Sequence, residues 1–278
     1  MIDFSHPEIL DCVKRALEED IGSGDVTSQA CVPQDKIARG RFLARERQIV
    51  AGTELLPLIY QARGGVDDLR LDKLSGACAS GGETIATVRG RARTLLECER
   101  TALNFLQRLS GIATRARRYV DAVAGTGCCV LDTRKTTPGM RRLEKMAAAA
   151  GGVTNHRMGL YDAILIKNNH IAAAGGVRQA LENARGARLP IEIEVRTRAE
   201  LEEAIAAGAT HLLLDNLAPD EAAEQIHWVA GRAKVELSGG ITLDNARAYA
   251  ETGADFISSG DITHSAPAVD ISFRLDLT

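Results

Sequence analysis

Between residues 128 and 258, short apolar runs alternate with amphipathic, alanine-rich stretches. The runs are Cys129–Leu131, 163–166, Ile191–Val195, 211–214, 235–237 and Phe256–Ser258. This alternation predicts parallel strands joined by crossover helices. The repeats are short and near-uniform, which favours a barrel over a doubly wound sheet, and with fewer than eight runs the barrel is expected to be incomplete. Upstream the pattern is mixed α/β and forms one candidate domain over residues 1 to about 110. It has a helical period over 7–19, extended runs at 38–45 and 83–89, and glycine turns at Gly64-Gly65 and Gly81-Gly82. From Thr94 the apolar positions Leu95, Cys98, Ala102, Phe105, Leu106 and Leu109 fall on one helical stripe, leaving Arg100 on the opposite face. At the other end Val269, Ile271, Phe273, Leu275 and Leu277 alternate strictly, which predicts a strand with one buried face. No strand follows it, so it is expected to return to the first domain or to pack on the end of the barrel.

Composition narrows the function classes. The 278 residues carry 34 Lys and Arg against 37 Asp and Glu, a net charge of -3, so general attraction to nucleic acid or membrane is not expected. The basicity is instead local, in Asp132-Thr133-Arg134-Lys135-Thr136-Thr137-Pro138-Gly139 and Asn155-His156-Arg157-Met158-Gly159. Two cationic corners so close together predict a pocket for an anion. A hydrophobic content of 45% suffices for a core that buries roughly 70% of the unfolded surface. No run of apolar residues is long enough to span a bilayer. Six cysteines without a CxxC pair, and a start without a signal pattern, lead to the expectation of a reduced, cytoplasmic protein. The vicinal Cys128-Cys129 pair opens the apolar run ahead of Asp132 and reads as small buried hydrophobes rather than a redox couple.

The carboxyl ends of the six runs carry the candidate chemistry. In order they present Asp132 with Arg134 and Lys135, then Lys167, Glu194, Asp215 with Asn216, Ser238-Gly239-Gly240, and Ser259-Gly260. In a parallel α/β barrel these ends share the face on which active sites are built. The two glycine turns are expected to lead into helices beginning near Thr242 and after Thr263, where backbone N–H groups favour phosphate. Glu194 and Asp215, two carboxylates without an intervening cation, suit a hydrated Mg²⁺; pairing of either with a neighbour such as Arg196 is the competing expectation. Arg134, Lys135, His156, Arg157 and Lys167 form a cationic wall on the opposite side, with Arg suited to bidentate carboxylate capture and Lys to phosphate. Metal ligands, phosphate turns and carboxylate-binding arginines together imply a small, highly anionic substrate pair, one member a phosphorylated sugar.

These motifs resemble quinolinate phosphoribosyltransferase. The likeness rests on residues 132–139, on Asn155-His156-Arg157-Met158-Gly159-Leu160-Tyr161-Asp162, and on Leu165-Ile166-Lys167 with Asn169-His170-Ile171. It extends to Thr263-His264-Ser265-Ala266-Pro267, to Glu19-Asp20-Ile21-Gly22, and to Glu99-Arg100-Thr101-Ala102-Leu103-Asn104. The resemblance implies phosphoribosyl transfer from phosphoribosyl pyrophosphate (PRPP) to quinolinate with loss of CO₂, giving nicotinate mononucleotide in NAD synthesis. It implies an N-terminal α/β sandwich over 1–110, rejoined by the tail 266–278, and an incomplete, open TIM-like α/β barrel over 111–265. It also implies a homodimer in which Arg100 enters the neighbouring active site. By the same resemblance Arg100, Arg134, His156, Arg157 and Lys167 hold the quinolinate carboxylates, and Lys135 and Lys167 serve the pyrophosphoryl side. Glu194 and Asp215 take Mg²⁺ and ribose, and Ser238, Gly239 and Gly240 with Ser259, Gly260 and Asp261 take the 5-phosphate. Thr133 and His264 complete the substrate contacts; Lys135, Lys167, Glu194 and Asp215 are the catalytic set. No organic cofactor is implied.

The chain departs from the family pattern at three places: Asn168 where Asp is usual, Ala149-Ala150 where Arg-Cys is common, and Asp261 where a small apolar residue is usual. A carboxylate at Asp261 repels phosphate unless it points away. The alternatives are a molybdenum-transport-associated homologue of the same fold, a Schiff-base aldolase with Lys167 as nucleophile, and a metabolite sensor without turnover.

Overall fold

The computed structural model describes residues 4–277 and divides into two compact units. The first comprises Met1–Arg117, Thr137–Gly152 and Ser265–Thr278; the second comprises Arg118–Thr136 and Val153–His264.

In the first unit lie helices α1 (Pro7–Ile21), α2 (Val26–Cys31) and α3 (Leu56–Gln61), strands β1 (Ile37–Ala44), β2 (Gln48–Ile49), β3 (Asp68–Leu71), β4 (Cys78–Ala79) and β5 (Thr84–Arg91), and most of the long helix α4 (Ala92–Ala122). Helix α5 (Arg141–Ala150) and the final strand β12 (Ile271–Leu277) complete it. Pro7 opens α1 with its preset φ, the His6 side chain accepts the Glu8 N–H, and Ile9, Val13 and Leu17 bury a stripe at i, i+4 and i+8. The main sheet has the order β12-β1-β5-β3, antiparallel throughout. The C-terminal alternation therefore ends where expected, paired along β1 with Phe42 opposite Phe273 and ring centroids 4.8 Å apart. Along α4 the predicted stripe is buried and Arg100 is exposed. Glu144 of α5 is fully buried and accepts hydrogen bonds from the Arg108 guanidinium at 2.9 and 3.2 Å and from the Thr137 N–H and hydroxyl at 3.1 and 2.7 Å.

The second unit is built on β6 (Cys129–Leu131), β7 (Ile164–Ile166), β8 (Ile191–Val195), β9 (His211–Asp215), β10 (Lys234–Ser238) and β11 (Phe256–Ser258). Each lies within one residue of its predicted run. The six form one parallel sheet in the order β6-β11-β10-β9-β8-β7, with β6 and β7 at the two ends, so the sheet is open. Helices α6 (Asn168–Ala174), α7 (Val177–Ala184), α8 (Arg198–Ala206), α9 (Pro219–Val229), α10 (Ala246–Ala250) and α11 (Asp261–His264) occupy the connections. The predicted helix starts after the glycine turns need correction. Asn245 accepts the Thr242 N–H at 2.7 Å and donates to the Gly240 carbonyl at 3.0 Å, which holds an extra turn ahead of α10 and delays it to Ala246. Helix α11 spans only four residues and includes Thr263 rather than following it.

Candidate active site

The carboxyl ends of the second unit's strands surround a cleft of about 410 Å³. Arg134 and Lys135 after β6, Lys167 after β7, Asp215 at the end of β9 and Ser238-Gly239-Gly240 after β10 all line it, together with Thr133, His156 and Arg157. Parallel pairing alone brings these ends to one edge.

Asp132 joins the two cationic segments. It is fully buried; one carboxylate oxygen accepts the Asn155 amide at 2.7 Å and the other accepts the His156 N–H at 2.8 Å. Main-chain bonds from Asp132 N–H to the Thr154 carbonyl and from Thr154 N–H to the Val130 carbonyl lay that segment beside β6. Arg157 donates to the Ala163 carbonyl at 3.2 Å. Burial and the neighbouring Arg134 guanidinium lower its proton affinity, although Asp162 and Glu192 oppose them. Like charges held this close favour an incoming anion.

Lys135 is fixed through its backbone. Its N–H donates to the Thr133 hydroxyl at 3.1 Å, and its carbonyl accepts the buried Thr263 hydroxyl at 2.8 Å. Its stem crosses Gly260, where an added Cβ would lie 2.6 Å from Lys135 Cδ and 2.9 Å from His264 Cδ2. Gly239 has φ +95° and an added Cβ there would lie 2.3 Å from Asn216 Oδ1, so this turn admits only glycine.

Several expected site residues sit elsewhere. Glu194 is buried and lies between two cations, 3.1 Å from the Arg196 guanidinium and 3.4 Å from Lys167 Nζ. The premise of two carboxylates without an intervening cation thus fails for Glu194, and a neutralised carboxylate is a poor Mg²⁺ ligand. Among the described residues Asp215 accepts only a neutral amide, that of Asn216 at 2.7 Å, and it lines the cleft. Ser259, Gly260, Asp261 and His264 do not line it. Ser259 donates to the Ile241 carbonyl at 2.7 Å, while Asp261 accepts the hydroxyl of fully buried Tyr119 at 2.6 Å. That bond engages the Asp261 carboxylate with a buried hydroxyl instead of the cleft lining. Of the other departures, Asn168 is the first residue of α6 and Ala149-Ala150 close α5. Arg100 is exposed on α4 of the first unit.

One group of residues was missed. Glu192 of β8 and Glu236 of β10 both reach His156, whose Nε2 lies 3.1 and 3.5 Å from their carboxylates. Ligand atoms of the three lie within 4.8 Å of one another, close enough for a metal ion, and His156 Nε2 is already hydrogen-bonded to Glu192. Burial raises Glu192 above the ordinary carboxylate range; burial opposes protonation of His156 and Glu192 and Glu236 draw a proton toward it, whereas the Arg157 N–H aimed at Nδ1 leaves that nitrogen unprotonated and the ring neutral, with its proton on Nε2. A charged residue between Val235 and Leu237, in the middle of an apolar run, was the available signal.

Comparison with known proteins places nearly the whole chain in one family. The N-terminal domain of quinolinate phosphoribosyl transferase matches residues 25–110 and the C-terminal domain matches 112–274. The chain belongs to the quinolinate phosphoribosyltransferase family. It is 40% identical to the probable nicotinate-nucleotide pyrophosphorylase [carboxylating] of Bacillus subtilis, over 99% of this chain and 96% of that protein. It is 41% identical to the nicotinate-nucleotide pyrophosphorylase [carboxylating] of Mycobacterium leprae, over 95% and 96%. The crystal structure of NadC from Streptococcus pyogenes superposes with a TM-score of 0.92 at 37% identity, covering 98% of this chain and 97% of that one. For a quinolinate phosphoribosyltransferase, a cleft with paired arginines, lysines and a glycine turn suits both a dicarboxylate and a phosphorylated sugar.

Proposed function

We propose that the cleft carries out the family's reaction, phosphoribosyl transfer from PRPP to quinolinate with decarboxylation, with its residues in the following roles. The supporting observation is the convergence of Arg134 and Arg157, locked through Asp132, in one cleft with Lys135, Lys167 and the Ser238-Gly239-Gly240 turn. Arg134 and Arg157 hold the quinolinate carboxylates, which relieves the repulsion between the two guanidiniums. Lys135 faces the pyrophosphate, and the N–H groups of the glycine turn face the 5-phosphate. Lys167 is shared, through its ion pair with Glu194, between the substrate and the strand end.

The pyridine nitrogen attacks ribose C1 with its lone pair, and the bond from C1 to the pyrophosphate oxygen breaks with its electrons leaving on pyrophosphate. Lys135 stabilises that departing charge from a fixed position. The ring nitrogen is now cationic, so the electron pair left at C2 when CO₂ departs is stabilised beside it, and C2 then takes a proton from water. No organic cofactor is required. Mg²⁺ bound with PRPP would neutralise pyrophosphate charge; Asp215 fits it as one carboxylate among substrate oxygens and waters, and Glu194 does not.

Arg100, exposed on α4, reaches the neighbouring site of a homodimer in this reading, and six free cysteines suit the reducing cytoplasm. Mixing Arg100→Ala chains with Arg134→Ala chains then restores some wild-type sites; absence of any recovered activity refutes the shared site. The central assay supplies quinolinate, PRPP and Mg²⁺ and follows CO₂ and nicotinate mononucleotide. Borohydride trapping of a carbonyl substrate on Lys167, without quinolinate turnover, supports the aldolase instead.

A further inference from the structure

In the cleft assigned here to a dianion, two carboxylates stand against His156, and one of them, Glu236, lines the cleft. Glu236 is 3% exposed and Glu192 is largely buried, and by simple Coulomb attraction and repulsion both disfavour an anionic substrate. Their geometry shows another use. Both face His156 Nε2, while His156 Nδ1 accepts the Arg157 N–H at 2.8 Å. Because Nδ1 is an acceptor, the ring proton toward the carboxylates is on Nε2. Both ring nitrogens are then engaged with the protein, one with the carboxylates of β8 and β10 and the other with the backbone of Arg157.

We infer that Glu192 and Glu236 are positioning residues for quinolinate: by orienting the His156 ring they fix the main chain at Arg157 and so aim its guanidinium. The inference rests on the assignment of Arg157 to the quinolinate carboxylates. His156 acts here as a connector rather than as a direct ligand of the substrate. The arrangement has the logic of a buried carboxylate that sets the tautomer and orientation of a histidine, with the readout passed to the adjacent residue. Its consequence runs against Coulomb's law. Removing negative charge beneath an anion site should strengthen binding, whereas loss of the clamp should weaken it.

Glu192→Gln and Glu236→Gln, made in the full chain, separate the two. The expected result is a rise in KM for quinolinate on the order of tenfold, with KM for PRPP changed by less than about twofold. Nitrogen-15 NMR of the imidazole should show one Nε2-protonated tautomer in the wild type and a mixture in the variants. Should Glu236→Gln fail to fold, the less buried Glu192→Gln and the wild-type spectrum still decide. Unchanged or lowered KM for quinolinate in the folded variants overturns the inference. So does stoichiometric zinc held by the wild type and lost in the variants, because the three residues would then be a metal centre. Arg157→Ala, measured alongside, tests the underlying assignment separately: if it leaves KM for quinolinate unmoved, the pocket reading fails first.

Discussion

Asp132→Asn isolates the bond that joins the two cationic segments. The wild-type carboxylate accepts from Asn155 Nδ2 at 2.7 Å and from His156 N–H at 2.8 Å, with no exposure to water. Asparagine matches it in shape but offers one acceptor and one donor. Whichever way the amide turns, one of the two donors faces another donor, and the surviving bond loses its charge. The lost charge-assisted bond costs about 1.5 to 3 kcal/mol, and the weakened one about 1 kcal/mol more. A total near 3 kcal/mol corresponds to a fall of roughly 6 to 12 °C in the thermal midpoint for a chain of this size. Because the same bonds hold the 154–157 segment against the 132–135 segment, KM for quinolinate should rise on the order of tenfold or more. Calorimetry and steady-state kinetics read the two effects. A midpoint within about 2 °C of wild type, with unchanged KM, would refute the reasoning, because the carboxylate would then not be a clamp.

Three further outcomes follow from the same geometry. Gly260→Ala puts a methyl 2.6 Å from Lys135 Cδ, so kcat should fall on the order of tenfold while circular dichroism stays native. Thr263→Val removes the bond to the Lys135 carbonyl and should cost about 1 kcal/mol of transition-state stabilisation, whereas Thr263→Ser keeps it; equal kcat/KM in the two variants would exclude the role. Burial pushes the Cys98 and Cys128 thiols up to about 12, which leaves about one in ten thousand as thiolate at pH 8. Iodoacetamide with mass mapping should therefore label exposed Cys31, Cys78 and Cys129 quickly, and label Cys98 and Cys128 only after unfolding.

The site was only partly legible in local sequence. Arg134, Lys135, Arg157 and Lys167 stood out because cations clustered beside apolar runs have few structural uses in an acidic chain. Glu194 misled because its ion partners had to be guessed: Arg196 is two residues away, but Lys167 reaches it only through the pairing of β7 with β8. Asp261 looked repulsive because its acceptor role depends on Tyr119, 142 positions distant. Glu192 and Glu236 went unnoticed because nothing near either in sequence shows that both meet a histidine after β6.

Sequence alone determined the order and type of the elements in the barrel-like unit, since hydrophobic period is a local property set by how each strand or helix buries one face. It also determined which strand ends carry cations and which carry glycine, and through long motifs it determined the family. Only tertiary structure decided which carboxylate is ion-paired, which histidine nitrogen is engaged and which hydroxyl Asp261 accepts. Those outcomes depend on partners brought together by strand order, and the energy of a buried charge is fixed by the few ångströms around it rather than by its neighbours in the chain.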